Sequence, residues 1–210
     1  MIRAFCIFIS VMLLFPSLSL ARKVTRMPIE RLFKDADYVA VVCIESGDVV
    51  QSANSSCGAK YKARVIDGIK GVLSDEVLQF GLCPGLAIGE AYLVFLGSSD
   101  RYDAAYYSGG YCYNLCCWGK QKDDLECGTI LKNNWLLEES FGAMEIVGGW
   151  LGGEQVKVVT SIVTLPKILK AKRIQGKGKG RPPDTIALVS LKDLVSYLKR
   201  LNPAGQDRTP

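Results

Sequence analysis

The chain contains no histidine, and that absence removes more chemistry than any motif supplies. A serine or cysteine nucleophile has no imidazole base. Zinc hydrolases of the His-Glu-x-x-His kind have no histidine ligands, and a switch driven by imidazole protonation has nothing to protonate. Any enzymatic reading is confined to carboxylate, lysine or thiol chemistry. Acids are missing locally: Lys167, Lys170, Lys172, Arg173, Lys177, Lys179 and Arg181 follow one another with no Asp or Glu among them. The formal net charge of +5 is therefore a local property. Long apolar runs are missing as well. Beyond the first residues no stretch approaches the roughly 20 apolar residues that a spanning helix requires, and no internal repeat is visible.

The exception lies at the start. Met1-Ile2-Arg3 is a short basic opening, Ala4 to Phe15 is apolar with Ser10 as its one polar break, Pro16 interrupts it, and Ser19-Leu20-Ala21 places small residues for cleavage. This is the pattern of an export signal over residues 1–21. The alternative is an uncleaved anchor, with Arg22 and Lys23 as its flank. Export predicts a secreted or periplasmic protein with no transmembrane segment in the mature chain. It also sets the chemistry of Cys43, Cys57, Cys83, Cys112, Cys116, Cys117 and Cys127, which in an oxidising compartment read first as disulfide partners. Seven is odd, so one thiol is left over.

The rest of the chain reads as mainly β. Pro28 to Asp35 predicts a short helix that packs through Leu32 and Phe33. Asp37 to Ile44 is a nearly continuous apolar run, as expected of a strand covered on both faces. Gly47 to Gly58 reads as a polar loop. Tyr61, Ala63 and Val65 alternate with Lys62 and Arg64, the period of a half-buried strand. Val77–Phe80 and Glu90–Leu96 are further strands around a Cys83-Pro84-Gly85 turn. Lys132 to Met144 reads as helical, the glycines at 148, 149, 152 and 153 as a break, and Gln155 to Leu165 as a strand. The stretch 166–185 reads as a basic flexible loop. The strongest local pattern is the last one. Leu191, Leu194, Val195, Leu198 and Leu201 mark one helical face, Ser190 and Asp193 fit a capping box, Val189 and Leu194 a staple, and Asn202-Pro203 a stop.

Ala36-Asp37-x-Val39, Tyr61-x-Ala63-x-Val65, Ile69-Lys70-Gly71, Gly89-Glu90-x-Tyr92-Leu93-Val94-Phe95 and Cys127-Gly128-Thr129 occur in an order and spacing that resembles the tissue-inhibitor-of-metalloproteinase and netrin-type modules, in particular their short bacterial exported forms. The resemblance, carried mostly by residues 35–96, implies a closed OB-like β-barrel, placed over 22–165 with a Tyr/Cys-rich insertion; the basic loop and the C-terminal amphipathic helix, read from their own residues and placed over 186–210, follow it, the helix packing on the barrel. Inhibitors of that family chelate the protease zinc with an N-terminal cysteine. The expected mature start here is Arg22, so the resemblance speaks for the fold rather than for that mechanism.

Cys112, Cys116, Cys117 and Cys127 offer thiolates for zinc or an iron–sulfur cluster, but adjacent cysteines and an oxidising compartment favour disulfides; a redox-active thiol is the third reading. No cofactor or metal is expected. Tyr106, Tyr107, Tyr111, Tyr113 and Trp118 crowd the same segment, either as a recognition surface or as the cover of a small disulfide-held core. Lys170, Lys172, Arg173, Lys177, Lys179 and Arg181 are candidates for contact with an anionic surface, against the plainer reading of a solvated loop; nucleic acid is the least expected partner. Ser196-Tyr-Leu-Lys199 fits a Ser-x-x-Lys pattern but lacks the companion Lys-Thr-Gly. Glu138-Glu139 reads as a solvated helix face rather than an acid–base pair, and Asn54-Ser55-Ser56 is a formal glycosylation acceptor. The function expected is an exported, non-enzymatic domain binding a protein or envelope component. The alternatives are a metalloprotease inhibitor acting without an N-terminal cysteine and, after it, an enzyme limited to carboxylate, lysine or thiol chemistry.

Overall fold

In the computed structural model, residues 26–51, 56–82, 85–98, 134–137, 142–149, 153–175 and 185–202 are described. The expected signal, the Tyr/Cys-rich segment and residues 176–184 lie outside them.

The apolar run that begins at Asp37 becomes the wall between two cores. Strand β2 (Tyr38–Gln51) sends Ala40, Val42 and Ile44 to one side and Val39 and Val41 to the other, all buried. Alternate side chains of a strand face opposite ways, so an unbroken apolar run is what two-sided burial demands. Strand β5 (Ala91–Gly97) repeats the arrangement: Tyr92, Val94 and Leu96 face one core, Leu93 and Phe95 the other.

The first core is the inside of a barrel. β2 pairs antiparallel with β3 (Ser56–Lys70) and with β5. β3 pairs with β4 (Val77–Leu82), β4 runs parallel to β6 (Asn134–Leu136), and β6 pairs antiparallel with β5, which closes five strands. Closure needs strong coiling of the longest strands, and the β2–β3 ladder shifts register between Val39 and Ala40, Val41 and Val42, Ile44 and Ser46, and Val50 and Gln51. Such irregularities bend and twist a ribbon. Tyr61, Ala63, Val65, Leu78, Phe80 and Leu136 complete the interior, so the barrel is filled by its own side chains.

The second core lies outside. Strands β7 (Ala143–Gly149), β8 (Gly153–Val159), β11 (Thr185–Ser190) and β10 (Ala171–Gln175) extend the sheet from β5 in that order. Val156, Val158 and Val189 are buried there together with the outer residues of β2 and β5. Helix α1 (Ile29–Asp35) adds Ile29, Leu32 and Phe33, and α2 (Leu191–Leu201) adds Leu194, Val195 and Leu198. A two-residue parallel bridge joins β1 (Met27–Pro28) to β9 (Val163–Thr164). The chain is thus mainly β, with a closed five-stranded barrel and a C-terminal helix.

Several motif residues have definite mechanical tasks. The Lys70 ammonium donates to the carbonyls of Phe33, Lys34 and Ala36 at 2.9, 3.1 and 2.5 Å and lies 5.2 Å from the Phe33 ring centre. It satisfies the carbonyls that the end of α1 leaves without helical partners and places a cation at the negative end of the helix. Gly71 has φ +72°, and a Cβ there would lie 2.3 Å from the Asp37 carbonyl oxygen, so only glycine fits where β3 passes the start of β2. The Asp37 carboxylate accepts from the Ser98 amide at 2.8 Å. At the opposite end, the Tyr61 hydroxyl accepts from the amides of Gly85 and Leu86 and the Tyr92 hydroxyl from that of Ala87.

Four expectations are corrected. The polar loop at 47–58 is mostly strand: β2 runs to Gln51 and β3 begins at Ser56. The β5 ladder leaves β2 at Cys43 and the β4 ladder leaves β3 at Ala59; no third strand pairs with the ribbon beyond these points among the described residues, so its residues need not be apolar. The helix expected over 132–144 is replaced by β6 and the start of β7, because closing the barrel outweighs local helical preference. The glycine-rich break carries a β7–β8 hairpin with Gly149 opposite Gly153. The basic loop contains β10, held by the ladder from Ala171 opposite Val189 to Gln175 opposite Thr185. Its residues alone do not signal a strand; its partner supplies one.

Candidate functional site

A groove among the described residues lies between the barrel wall, α2 and strands β7 and β8. Val41 from β2, Ala91 from β5, Ile146 from β7 and Leu191 and Val195 from α2 make an apolar floor, and Ile66 of β3 stands beside it 55% exposed. Asp67, Glu154, Lys192, Ser196 and Lys199 supply the polar lining of a groove of about 410 Å³. Lys199 donates to both oxygens of Asp67, at 2.8 and 3.0 Å. One turn further on, the Asn202 side chain donates to the carbonyl of Ile69 at 3.2 Å. These bonds fasten α2 along β3.

Ser196 and Lys199 therefore do share a surface, as their spacing on a helix requires. Both oxygens of Asp67 hold Lys199, which serves here as a fastening between elements. The remaining groove residues were not recognised in the sequence. They come from six elements, and no spacing along the chain connects Val41, Asp67, Ile146 and Val195.

A second polar tie joins the helices. The Tyr197 hydroxyl donates to Glu30 Oε1 at 2.5 Å, and its pKa is pushed up to about 12, first by that bond, then by burial and by the carboxylate charge, with Arg200 opposing. On the ribbon, Glu45 meets Lys62 at 3.2 Å and Arg64 at 2.6 Å. The hydrogen bond from Lys62 is the main cause holding its carboxyl below the ordinary range, with Arg64 also lowering it and desolvation opposing. These exposed pairs set surface charge rather than a reactive centre. Among the described residues no group of three or more Cys, Asp or Glu is placed to hold a metal ion, and none has a buried charged or polar side chain.

Among the described residues Cys43, expected among the disulfide partners, has a free thiol, with Sγ 3.7 Å from the Gly89 carbonyl oxygen. The reason lies in its neighbours. Its register partners on β3 and β5 are Arg64 and Ala91, so no cysteine faces it across either ladder. The side chains of Cys57, Cys83, Cys112, Cys116, Cys117 and Cys127 lie outside the description, as do Tyr106, Tyr107, Tyr111, Tyr113 and Trp118. The points between which the Tyr/Cys-rich residues are inserted are well defined, however. Strand β5 ends at Gly97 and β6 begins at Asn134, and the two are paired there: Gly97 lies opposite Trp135 and Leu96 opposite Leu136. Of the six basic candidates, Lys170, Lys172 and Arg173 are exposed beside or on β10, whereas Lys177, Lys179 and Arg181 fall outside, together with Glu138, Glu139 and Asn54. No helix of the described residues is long and apolar enough to cross a membrane.

No protein-family model, no curated protein and no solved structure matches this chain.

Proposed function

We propose that the chain is an exported binding domain: an OB-like barrel that presents the Tyr/Cys-rich insertion to a protein or envelope partner. The observation that carries this is the mounting of residues 99–133 between β5 and β6, whose flanking residues are directly paired across a closed wall. A rigid scaffold that holds the two ends of a long connection side by side suits recognition by that connection, and tyrosine supplies contact area at low entropic cost. The barrel interior is packed with its own side chains, which leaves surfaces and insertions for a ligand.

The strand order supports the OB-like assignment. Following the wall, β2, β3, β4, β6 and β5 succeed one another before returning to β2, with β4 and β6 parallel. This is a five-stranded closure in which the last strand inserts between the third and fourth, and OB-folds use their connecting loops for ligands. With Cys43 free among the described residues, six cysteines remain, an even number for pairing.

The test uses the exported protein. Pull-down from the native medium or envelope should recover a partner with the wild-type chain and lose it when Tyr106, Tyr107, Tyr111 and Tyr113 are changed together to Ser, while thermal stability is retained. Recovery undiminished by those changes would sink the reading. Inhibition in a metalloprotease panel by the same protein would move the assignment to the protease-inhibitor alternative. Thiol counting should find one free thiol, at Cys43, and N-terminal sequencing should find Arg22 first.

A further inference from the structure

We propose that the β9–β10 turn and strand β10 form a contact surface for an anionic lipid bilayer. The turn is pinned from below: Leu169 is buried, and its amide donates to the Pro166 carbonyl at 3.1 Å. That anchor holds Ile168 outward at 67% exposure between Lys167 and Lys170, both exposed. β10 continues the surface with exposed Lys172 and with Ile174, 42% exposed, on one face, while exposed Arg173 stands on the opposite face of the same edge strand. No acid pairs with any of these four cations among the described residues.

The register widens the apolar part. Ile174 lies opposite Ile186, which lies opposite Val159, and Lys172 lies opposite Leu188. Directly opposed residues share a sheet face, so a row of half-buried aliphatic side chains runs inward from the exposed edge, with a cation beside it. On its other side β10 has no strand among the described residues.

The combination selects the occupant. Lys167, Lys170 and Lys172 alone would suit any polyanion, but two exposed isoleucines contribute nothing toward a hydrophilic one. An anionic bilayer satisfies both, because headgroup charge attracts the cations while apolar side chains enter the boundary of the acyl region. A second copy is disfavoured: β10 paired against itself would set Lys172 and Arg173 near their own counterparts, and like charges across a ladder repel. The contact is peripheral. It uses neither the insertion nor the groove, so it stands or falls apart from the function proposed above.

Vesicle co-sedimentation of the full exported chain tests it, with phosphatidylcholine alone compared against phosphatidylcholine containing about one-third phosphatidylglycerol. Binding is expected to the anionic vesicles only, and to weaken steeply as salt shortens the screening length below about 8 Å. K170Q/K172Q should lower partition roughly tenfold or more. I168S, at an exposed turn tip where folding is not at stake, should lower it severalfold with the charge unchanged. No preference for anionic vesicles overturns the proposal. So does a loss in K170Q/K172Q with none in I168S, since that result assigns the cations to a soluble polyanion or an acidic protein.

Discussion

Phe80 and Phe95 are both fully buried, yet they belong to different kinds of core. Phe80 lies inside the barrel, where the surrounding side chains come from one continuous wall whose strands satisfy each other's backbone groups all the way round. Phe95 lies outside, in a core assembled from the outer faces of β2 and β5, two short helices and the strands that extend the same sheet from β7 to its edge at β10. The inner core is closed by hydrogen-bonded strands. The outer one is closed by helices held with side chains: Lys70 on the end of α1, Tyr197 on Glu30, Lys199 on Asp67 and Asn202 on the Ile69 carbonyl. These ties between the helices and from helix to sheet lie where the sheet alone cannot close the structure. The outer layer should be the part that opens first, because local opening follows the elements with fewest mutually supporting contacts.

The largest expected effects compare the two cores directly. Phe80→Ala should cost about 3–5 kcal/mol and Leu194→Ala about 2–5 kcal/mol in denaturant unfolding. Amide exchange should separate them: Phe80→Ala accelerates exchange throughout, whereas Leu194→Ala accelerates it in β8, β11 and α2 while barrel amides remain protected. Uniform acceleration in both variants would show that the two cores unfold as one unit.

A smaller effect is expected at the Lys70 cap. Lys70→Met keeps much of the aliphatic stem but leaves the carbonyls of Phe33, Lys34 and Ala36 without their donor, and should cost about 1–3 kcal/mol. Its exchange signature should be confined to α1 and the elements packed on it. A neutral result would assign the closing of the α1 end to solvent rather than to Lys70.

The smallest is a pH effect on the tie between the helices. Tyr197 titrates near 12 in the folded chain against 10.0 for an unperturbed tyrosine. A raised folded pKa means that the contribution is complete below pH 10 and is lost as pH rises toward 12. The difference in stability between wild type and Tyr197→Phe should be constant below pH 10 and shrink above it, which cancels the lysines that titrate in the same window. A difference unchanged up to pH 12 would remove the tyrosine–glutamate bond as a source of stability.

What could be read in advance depended on how local the cause was. α2 was legible because its causes lie within a dozen residues: the apolar face recurs at helical spacing, and the Asp193 amide does donate to Ser190 Oγ at 3.3 Å. β2 and β5 were legible because two-sided burial leaves a continuous apolar run. β6 was misread, since three residues carry no period and Asn134–Leu136 is a strand only because β4 and β5 lie on either side of it. Of the candidate surfaces, the cations of β10 were visible as a run of charge. That their strand forms a sheet edge beside a row of aliphatic side chains follows from the ladders to β11 and β8.

The residues by themselves determined the absence of imidazole chemistry, the mainly β character, the closing helix and the continuous apolar runs, because each follows from side-chain chemistry or from neighbours a few bonds away. Tertiary structure alone decided that the barrel closes through β6, that Lys70 caps a helix more than thirty residues earlier, that Cys43 faces no cysteine, and that the groove and the β10 edge exist at all. Those outcomes depend on which distant segments become neighbours, and the free energy that selects the pairing belongs to the assembled cores rather than to any stretch of chain within them.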